Sequence, residues 1–374
     1  MKKFVYLKSN SKIMKPQNEI KNLFLKLSTD QRSKLLLELN DFPAPVIKNN
    51  SSTKVNECSH CGSSAFVKNG NPKGIQRYRC KKCGKNFTAL TGTYCHGIRK
   101  VDKFEVYKEL MFCEGYLPIK KMAKKVGVSV QTAFDWRHKI LSNLKIGEED
   151  KFSGITEMDD IWLNYSQKGR KGLDYGKKRG GSKRQGDNGF VTKLLVTADR
   201  NETNDFSVAC IGRLKKSDIY RKVGKKLTKD CTLVSDKHAS IEAFSKEAKI
   251  DHVSFKADKH KADSLHHVQK VNNFAARFKA ITNHSLRGVS TKYLQCYANW
   301  FAFVEKNKNG KNISEEIDKA LSNNHNAWDV FSNMEKMYAN FIHSFSQRTY
   351  RCPTKRSWKS NNWNHGIINK KSYI

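Results

Sequence analysis

Two pairs of cysteines, Cys58-x2-Cys61 and Cys80-x2-Cys83, stand 18 residues apart, and each pair is followed by a glycine, Gly62 or Gly84. A two-residue gap lets one tight turn aim two thiolates at one ion, and the glycine relieves the crowded backbone that follows. Two such turns complete the tetrahedral S4 shell of structural zinc, so a zinc ribbon is expected, with Cys58, Cys61, Cys80 and Cys83 as ligands. Two disulfides are the alternative, disfavoured in a lysine-rich chain with no export signal. Between the pairs, Lys68, Lys73, Arg77 and Arg79 alternate with Phe66 and Tyr78, a composition suited to phosphate contact. The remaining cysteines (Cys95, Cys113, Cys210, Cys231, Cys296 and Cys352) are unpaired in sequence and read mostly as small buried hydrophobes.

A second group is acidic. Glu157-Met158-Asp159-Asp160-Ile161-Trp162 puts carboxylates inside a strand-like run. Alternation sends Glu157 and Asp159 to one face and Asp160 to the other. Buried carboxylates are costly unless compensated, so either a metal neutralises them or they lie at a sheet edge. Leu233-Val234-Ser235-Asp236 is another apolar strand ending in an acid, at the strand's carboxyl end, a favoured site position in α/β folds. Carboxylates from two neighbouring strands can hold Mg2+ as a hard oxygen site. Each Asp alone reads more readily as a strand-end cap or a surface acid. Further on, Asn272 and Lys279 lie seven residues apart, two helical turns, and so share a helix face. An Asn272 amide oxygen could complete a metal shell there, with Lys279 on a phosphate beside it. Asp258 and Asp263 are rivals for that third ligand, although acids just before a helix more naturally serve its N-terminal dipole.

These residues need elements to hold them. Residues 20–39 read as one or two amphipathic helices, with Ser28 and Gln31 spaced as a capping box. Pro43-Ala44-Pro45 and Asn49 to Thr53 form a linker. Helical patterning runs from about 102 to 144. Within it, Leu117-Pro118-Ile119 opens a helix, Gly127-Val128-Ser129 makes a turn, and Ser129 caps a second helix. On that helix Gln131, Thr132, Asp135, His138 and Lys139 fall in one polar arc opposite Val130, Ala133, Phe134, Ile140 and Leu141. This is the layout of a DNA-reading helix-turn-helix, although an ordinary helical hairpin has the same pattern. From 153 to about 260 the pattern changes to β-branched runs, Ile155–Leu163, Val191–Ala198, Phe206–Ile211 and Cys231–Ser235. A basic, glycine-rich stretch with Lys177, Lys178, Arg179, Lys183 and Arg184 lies between the first two, and Gly180 and Gly181 allow close backbone approach to DNA. Helical patterns at about 265–281 and 290–305 follow. Residues 307–374 are rich in lysine and asparagine and poorly periodic.

The whole chain has 374 residues, with 71 Lys and Arg against 35 Asp and Glu, a net charge of +36. Such an excess repels itself unless a polyanion neutralises it, so nucleic acid is the expected partner. An anionic membrane surface fits less well, because the charge is not gathered on one amphipathic helix. No apolar run is long enough to span a bilayer, and the N-terminal apolar run is too short for a signal peptide, so a cytoplasmic, nucleoid-associated protein is expected.

In their order, the cysteine ribbon, the Leu117–Leu141 helix-turn-helix, the strand around Asp159, the Lys-Arg-Gly-Gly stretch and the His267-x4-Asn272-x6-Lys279 helix resemble the bacterial insertion-sequence transposases. The resemblance is to the group with an N-terminal zinc ribbon and an RNase H-like core, in the branch whose core tetrad is Asp, Asp, Asn, Lys. It covers roughly 20–305. It implies a multidomain chain: a helical lead-in and linker (1–54), a zinc ribbon (55–95), a helix-turn-helix (100–147), an α/β RNase H-like core with a mixed sheet (152–306), and a basic C-terminal region (307–374). The implied catalytic residues are Asp159, Asp236, Asn272 and Lys279, with the first three holding Mg2+, for which Mn2+ can substitute. The implied chemistry is two-metal phosphoryl transfer, in which a water, and later a 3′-hydroxyl, is activated at one ion and the leaving 3′-oxygen is stabilised at the other. Double-stranded DNA, both element ends and target, is the implied partner, with a homo-oligomer formed on it. Gln131, Thr132, His138 and Lys139 are the expected end-reading residues, and the Lys177–Arg184 stretch the expected DNA path. The chain departs from the branch at Asp160, where Glu is common, and at Ala275, where His is common. A regulator that binds DNA without catalysis, and a nuclease of the same fold that does not join strands, are the alternatives.

Overall fold

The computed structural model describes residues 23–34, 55–144, 150–169, 191–256, 262–308 and 313–322, with 338, 340 and 341. The basic stretch bearing Lys177, Lys178, Arg179, Lys183 and Arg184 lies outside the described residues, as do Asp258, the linker and nearly all of the C-terminal region.

The chain divides into two compact units, residues 1–52 and 53–374. In the first, the capping box expected from sequence forms: Ser28 N–H donates to Gln31 Oε1 (3.1 Å) and Gln31 N–H to Ser28 Oγ (3.3 Å). Helix follows over residues 29–34.

The second unit begins with a three-stranded antiparallel sheet of β1 (Phe66–Lys68), β2 (Arg77–Cys80) and β3 (Asn86–Thr88). Phe66, Tyr78 and Phe87 stack edge-on and tilted with centroids 5.3–5.6 Å apart, a small aromatic floor beneath the cysteines. Three helices follow, α1 (Val101–Cys113), α2 (Ile119–Val126) and α3 (Val130–Asn143). Helix α2 stops at Gly127, whose φ of +66° is the left-handed cap that glycine adopts without strain. Ser129 Oγ accepts from Thr132 N–H and starts α3, as its sequence position predicts.

The largest layer is a mixed five-stranded sheet, as expected for the core. It contains β4 (Phe152–Asn164), β5 (Val191–Asp199), β6 (Asn204–Ile211), β7 (Leu227–Asp236) and β8 (Asp251–Phe255), in the order β6-β5-β4-β7-β8. The first three are mutually antiparallel; β7 runs parallel to β4, and β8 to β7. Helices α4 (Lys216–Val223), α5 (Ala239–Ala248), α6 (Gln269–Ala280), α7 (Leu294–Lys306) and α8 (Ile313–Ser322) complete the described elements. One sheet face packs Ile161, Val196 and Val234 on Val271, Phe274 and Phe278 of α6 and Phe301 of α7. The other packs Met158, Leu195 and Leu233 on Ile219 of α4 and Ile241 and Phe244 of α5. Covered on both sides, β5 is almost wholly buried, so its centre, Leu194-Leu195-Val196, is apolar at successive positions and does not alternate. A further core joins α1–α3 to α7 and α8 through Phe104, Trp136, Ile140, Trp300 and Leu321.

Candidate active site and metal centre

The cysteine turns form as their spacing implies. In the first, Gly62 N–H returns to Cys58 O (2.8 Å), and in the second Gly84 N–H returns to Cys80 O (3.0 Å), with both glycines at φ near +70°. The four Sγ atoms all lie within 4.8 Å of one another. Cys58 to Cys83 is 3.8 Å and Cys61 to Cys80 is 3.6 Å. A tetrahedron with Zn–S bonds of about 2.3 Å has edges of about 3.8 Å, so the cluster fits zinc. The Cys83 backbone N–H reaches Cys80 Sγ at 3.5 Å and holds that thiol down to about 6, favouring the thiolate that ligates metal.

In the large sheet, Glu157 pairs with Val234 across the parallel β4–β7 ladder. Two residues further along each strand stand Asp159, in the middle of β4, and Asp236, at the carboxyl end of β7. Burial, then the neighbouring Asp160 charge and the charge of Asp236, push Asp159 up to about 7, while Asp160 N–H (2.7 Å to Oδ1) and the Lys279 charge pull the other way. Asp236 is raised as well, by burial first, with His238 opposing. Its Oδ1 is buried without a hydrogen-bond partner. Among the described residues neither acid has an ion-pair partner. Two adjacent carboxyls that resist ionisation, one with an orphaned oxygen, are what a hard divalent cation would satisfy.

The other two acids of β4 are compensated from within the protein, a resolution that strand alternation alone did not reveal. Asp160, on the opposite face from Asp159 as expected, takes Lys193 Nζ at 2.6 Å; that lysine is fully buried and also lies 3.5 Å from the Trp162 ring centroid. Glu157 turns toward α6. Its Oε2 accepts the N–H groups of Lys270 (2.8 Å) and Val271 (3.2 Å), and its Oε1 lies 3.0 Å from Arg200 Nη2. Asn272, the next residue on α6, is half-buried, and Lys279 is exposed two turns on. Of the rival acids, Asp263 is committed before the helix. It accepts from Leu265 N–H and His266 N–H and meets His266 Nδ1 at 2.8 Å, which holds it down to about 2.

The polar arc expected on α3 is corrected in its second half. His138 and Lys139 are buried, not presented. His138 stacks between Phe134 (4.1 Å) and Tyr293 (4.0 Å), and Lys139 Nζ donates to His96 O. Helical periodicity placed them on a polar face, but Tyr293 and Tyr297 cover His138 and the segment around His96 takes Lys139. The first turn stays accessible: Gln131 is exposed, bonded to Asp135 at 2.8 Å, and Thr132 is partly exposed.

Among the described residues no helix is long and apolar enough to cross a membrane. No curated protein matches the chain. Among solved structures, a pre-cleavage Mos1 transpososome matches at 11% identity, covering 59% of this chain and 78% of that one, with a TM-score of 0.21. The Mos1 transposase paired-end complex with left transposon end matches at 13% identity over the same shares, with a TM-score of 0.24. Scores this low do not establish a common fold. Residues 151–306, which hold Asp159, Asp236, Asn272 and Lys279, match the ISXO2-like transposase domain family, so this segment is similar to a DDE-type transposase domain.

Proposed function

We propose that the protein is a DNA transposase that binds the ends of an insertion sequence and catalyses metal-dependent strand cleavage and transfer. The observation that carries this reading is the family match over the segment in which Asp159 and Asp236 stand on adjacent strands with their charge uncompensated. The proposed catalytic set is Asp159, Asp236, Asn272 and Lys279, in an RNase H-like core of the Asp-Asp-Asn-Lys branch. Asp159, Asp236 and Asn272 would hold the Mg2+ ions, and Lys279 would orient a DNA phosphate. Bound there, the ions would supply activation of the attacking oxygen and stabilisation of the leaving one. Two carboxylates give −2 against +4, so the site is under-neutralised, and DNA phosphate would supply the remaining negative charge. The cysteine cluster would be a structural zinc ribbon, expected to bring about one zinc ion per chain in metal analysis of the purified protein. Gln131 and Thr132 would read the element ends, the Lys177–Arg184 stretch would line the DNA path, and the protein would act as a homo-oligomer on DNA in the bacterial cytoplasm.

The test is cleavage and joining of a duplex carrying the inverted repeats that flank the gene. Wild type should cut in Mg2+ and join the cut 3′ end to target DNA. Asp159→Ala and Asp236→Ala should abolish cutting and keep end binding, and Asn272→Ala should nearly do so, with Asn272→Asp retaining some activity. Binding with no Mg2+-dependent cutting would instead establish a regulator, and cut ends without joined product a nuclease. Wild-type cutting by Asn272→Ala, with Asp258→Ala or Asp263→Ala dead, would move the third ligand to a carboxylate.

A further inference from the structure

Glu157 is fully buried two residues before Asp159 on the same strand face, yet it is not aimed at the metal position. Its carboxylate is spent on the start of α6. Oε2 accepts from both Lys270 N–H and Val271 N–H, two of the first-turn donors that have no partner within a helix. Oε1 faces Arg200 Nη2 at 3.0 Å and His267 Nδ1 at 3.5 Å. Arg200 in turn donates to Leu265 O (3.2 Å), in the segment leading into the helix. A second tie runs from Lys270 Nζ to Asp199 O at the end of β5 (2.6 Å). The entry to α6 is thus fastened to β4 and β5 by polar bonds, while Val271, Phe274 and Phe278 fasten its length by apolar packing. Apolar packing tolerates small sliding along the sheet, whereas two N–H bonds to one carboxylate do not. The bonded residues immediately precede Asn272, so the carboxylate that fixes them also fixes where the Asn272 amide stands relative to Asp159.

We infer that Glu157 is a positioning residue: it locks the first turn of α6 to β4 and thereby sets Asn272 and Lys279 against Asp159 and Asp236. This rests on the transposase reading for its catalytic consequence, but not for its structural content. Outer groups that orient metal ligands commonly cost about 10- to 100-fold in metal affinity or activity when removed. Glu157→Gln keeps an oxygen for both N–H groups and loses the charge facing Arg200, whereas Glu157→Ala loses both.

The experiment compares wild type, Glu157→Gln and Glu157→Ala in full-length protein by amide hydrogen exchange across 265–280, by affinity for an end duplex, and by the Mg2+ dependence of its cleavage. Glu157→Ala should raise exchange at the start of α6, leave end affinity within about twofold, and need more Mg2+ for a cleavage rate lowered about 10- to 100-fold. Glu157→Gln should recover much of both the protection and the rate. Wild-type exchange and wild-type Mg2+ dependence in Glu157→Ala would overturn the inference. So would equal loss in Glu157→Gln and Glu157→Ala, since the N–H bonds would then not be what matters. If wild type itself does not cleave, the transposase reading falls, and the exchange pattern alone decides whether Glu157 locks the helix. If Glu157→Ala does not fold, the exchange pattern of Glu157→Gln decides: protection of α6 close to wild type supports the lock, and protection lost there overturns it.

Discussion

Asp159 and Asp236 are stored at a cost, and that cost is measurable apart from catalysis. A carboxyl raised from its usual value to about 7 makes the folded state weaker at neutral and higher pH than it would be with a neutral side chain. Each unit of such a shift corresponds to about 1.4 kcal/mol. Asp159→Asn should therefore raise the melting temperature of metal-free protein by several °C at pH 8, and the gain should shrink as pH falls through about 7. The same variant should be inactive. A melting temperature that stays level or drops would show that the acid is compensated in solution. The sequence showed which acids lie on one strand but not which of them are spent. Glu157 and Asp160 lose their candidacy because of Lys270, Val271 and Lys193, partners far along the chain that alternation cannot foresee. Asp236 closes β7 where its apolar run ends, but that position alone does not distinguish a metal ligand from a strand-end cap.

Helices α2 and α3 and the turn between them show the same limit one scale up. The left-handed Gly127 cap and the Ser129 cap are local chemistry, and both formed where the sequence placed them. The polar face of α3 depends on what packs against it: Tyr293 and Tyr297 cover His138, and His96 O takes Lys139. Gln131→Ala should then relax discrimination at one base pair by about 1–3 kcal/mol, whereas Lys139→Ala should lower stability and leave base preference unchanged. Binding to single-base variants of the end duplex, alongside urea unfolding, separates the two. His138 adds a pH signature. Burial, followed by the charges of Arg137 and Lys292, overcomes its hydrogen bond to Phe134 O and pushes it down to about 3. The unfolded chain then binds a proton that the folded chain refuses, so stability is full above about 6.5 and declines as pH falls toward 3. Between pH 7 and pH 5 this site alone should remove about 2 kcal/mol. Unfolding midpoints at the two pH values should differ less in His138→Gln than in wild type; an equal difference would mean that His138 protonates in place. The edge strand β8 and helices α4 and α5 were not resolved in the sequence reading, being short and lacking strong periodicity of their own. The long central strands were, since their apolar runs leave no alternative.

Across the whole molecule the net charge is +36. Several ion pairs turn the acid inward and the arginine outward. Glu157 and Asp218 are fully buried beneath the partly exposed Arg200 and Arg221, and Glu305 is nearly buried beneath Arg277. Each pair neutralises its acid within the core and leaves guanidinium surface at the boundary, while Lys108 is buried beneath the partly exposed Asp318 in the opposite sense, so the net charge sets the field outside. Such a surface binds a polyanion mainly by releasing the counterions condensed on it. If six to ten phosphates are engaged, affinity for any duplex should fall about 10³- to 10⁵-fold between 50 and 200 mM salt. Affinity for a cognate end should fall with a similar slope from a higher starting point, because base contacts add energy that salt does not touch. Replacing Arg200 or Arg221 by Met should lower the slope only slightly, since each is partly occupied by its acid. Lys178→Ala should lower it by nearly one phosphate's share for all sequences alike. Fluorescence titration of end and scrambled duplexes across the salt range measures both slopes. A flat response, or a Lys178 effect confined to the cognate end, would show that the chain's charge serves something other than tracking a DNA backbone.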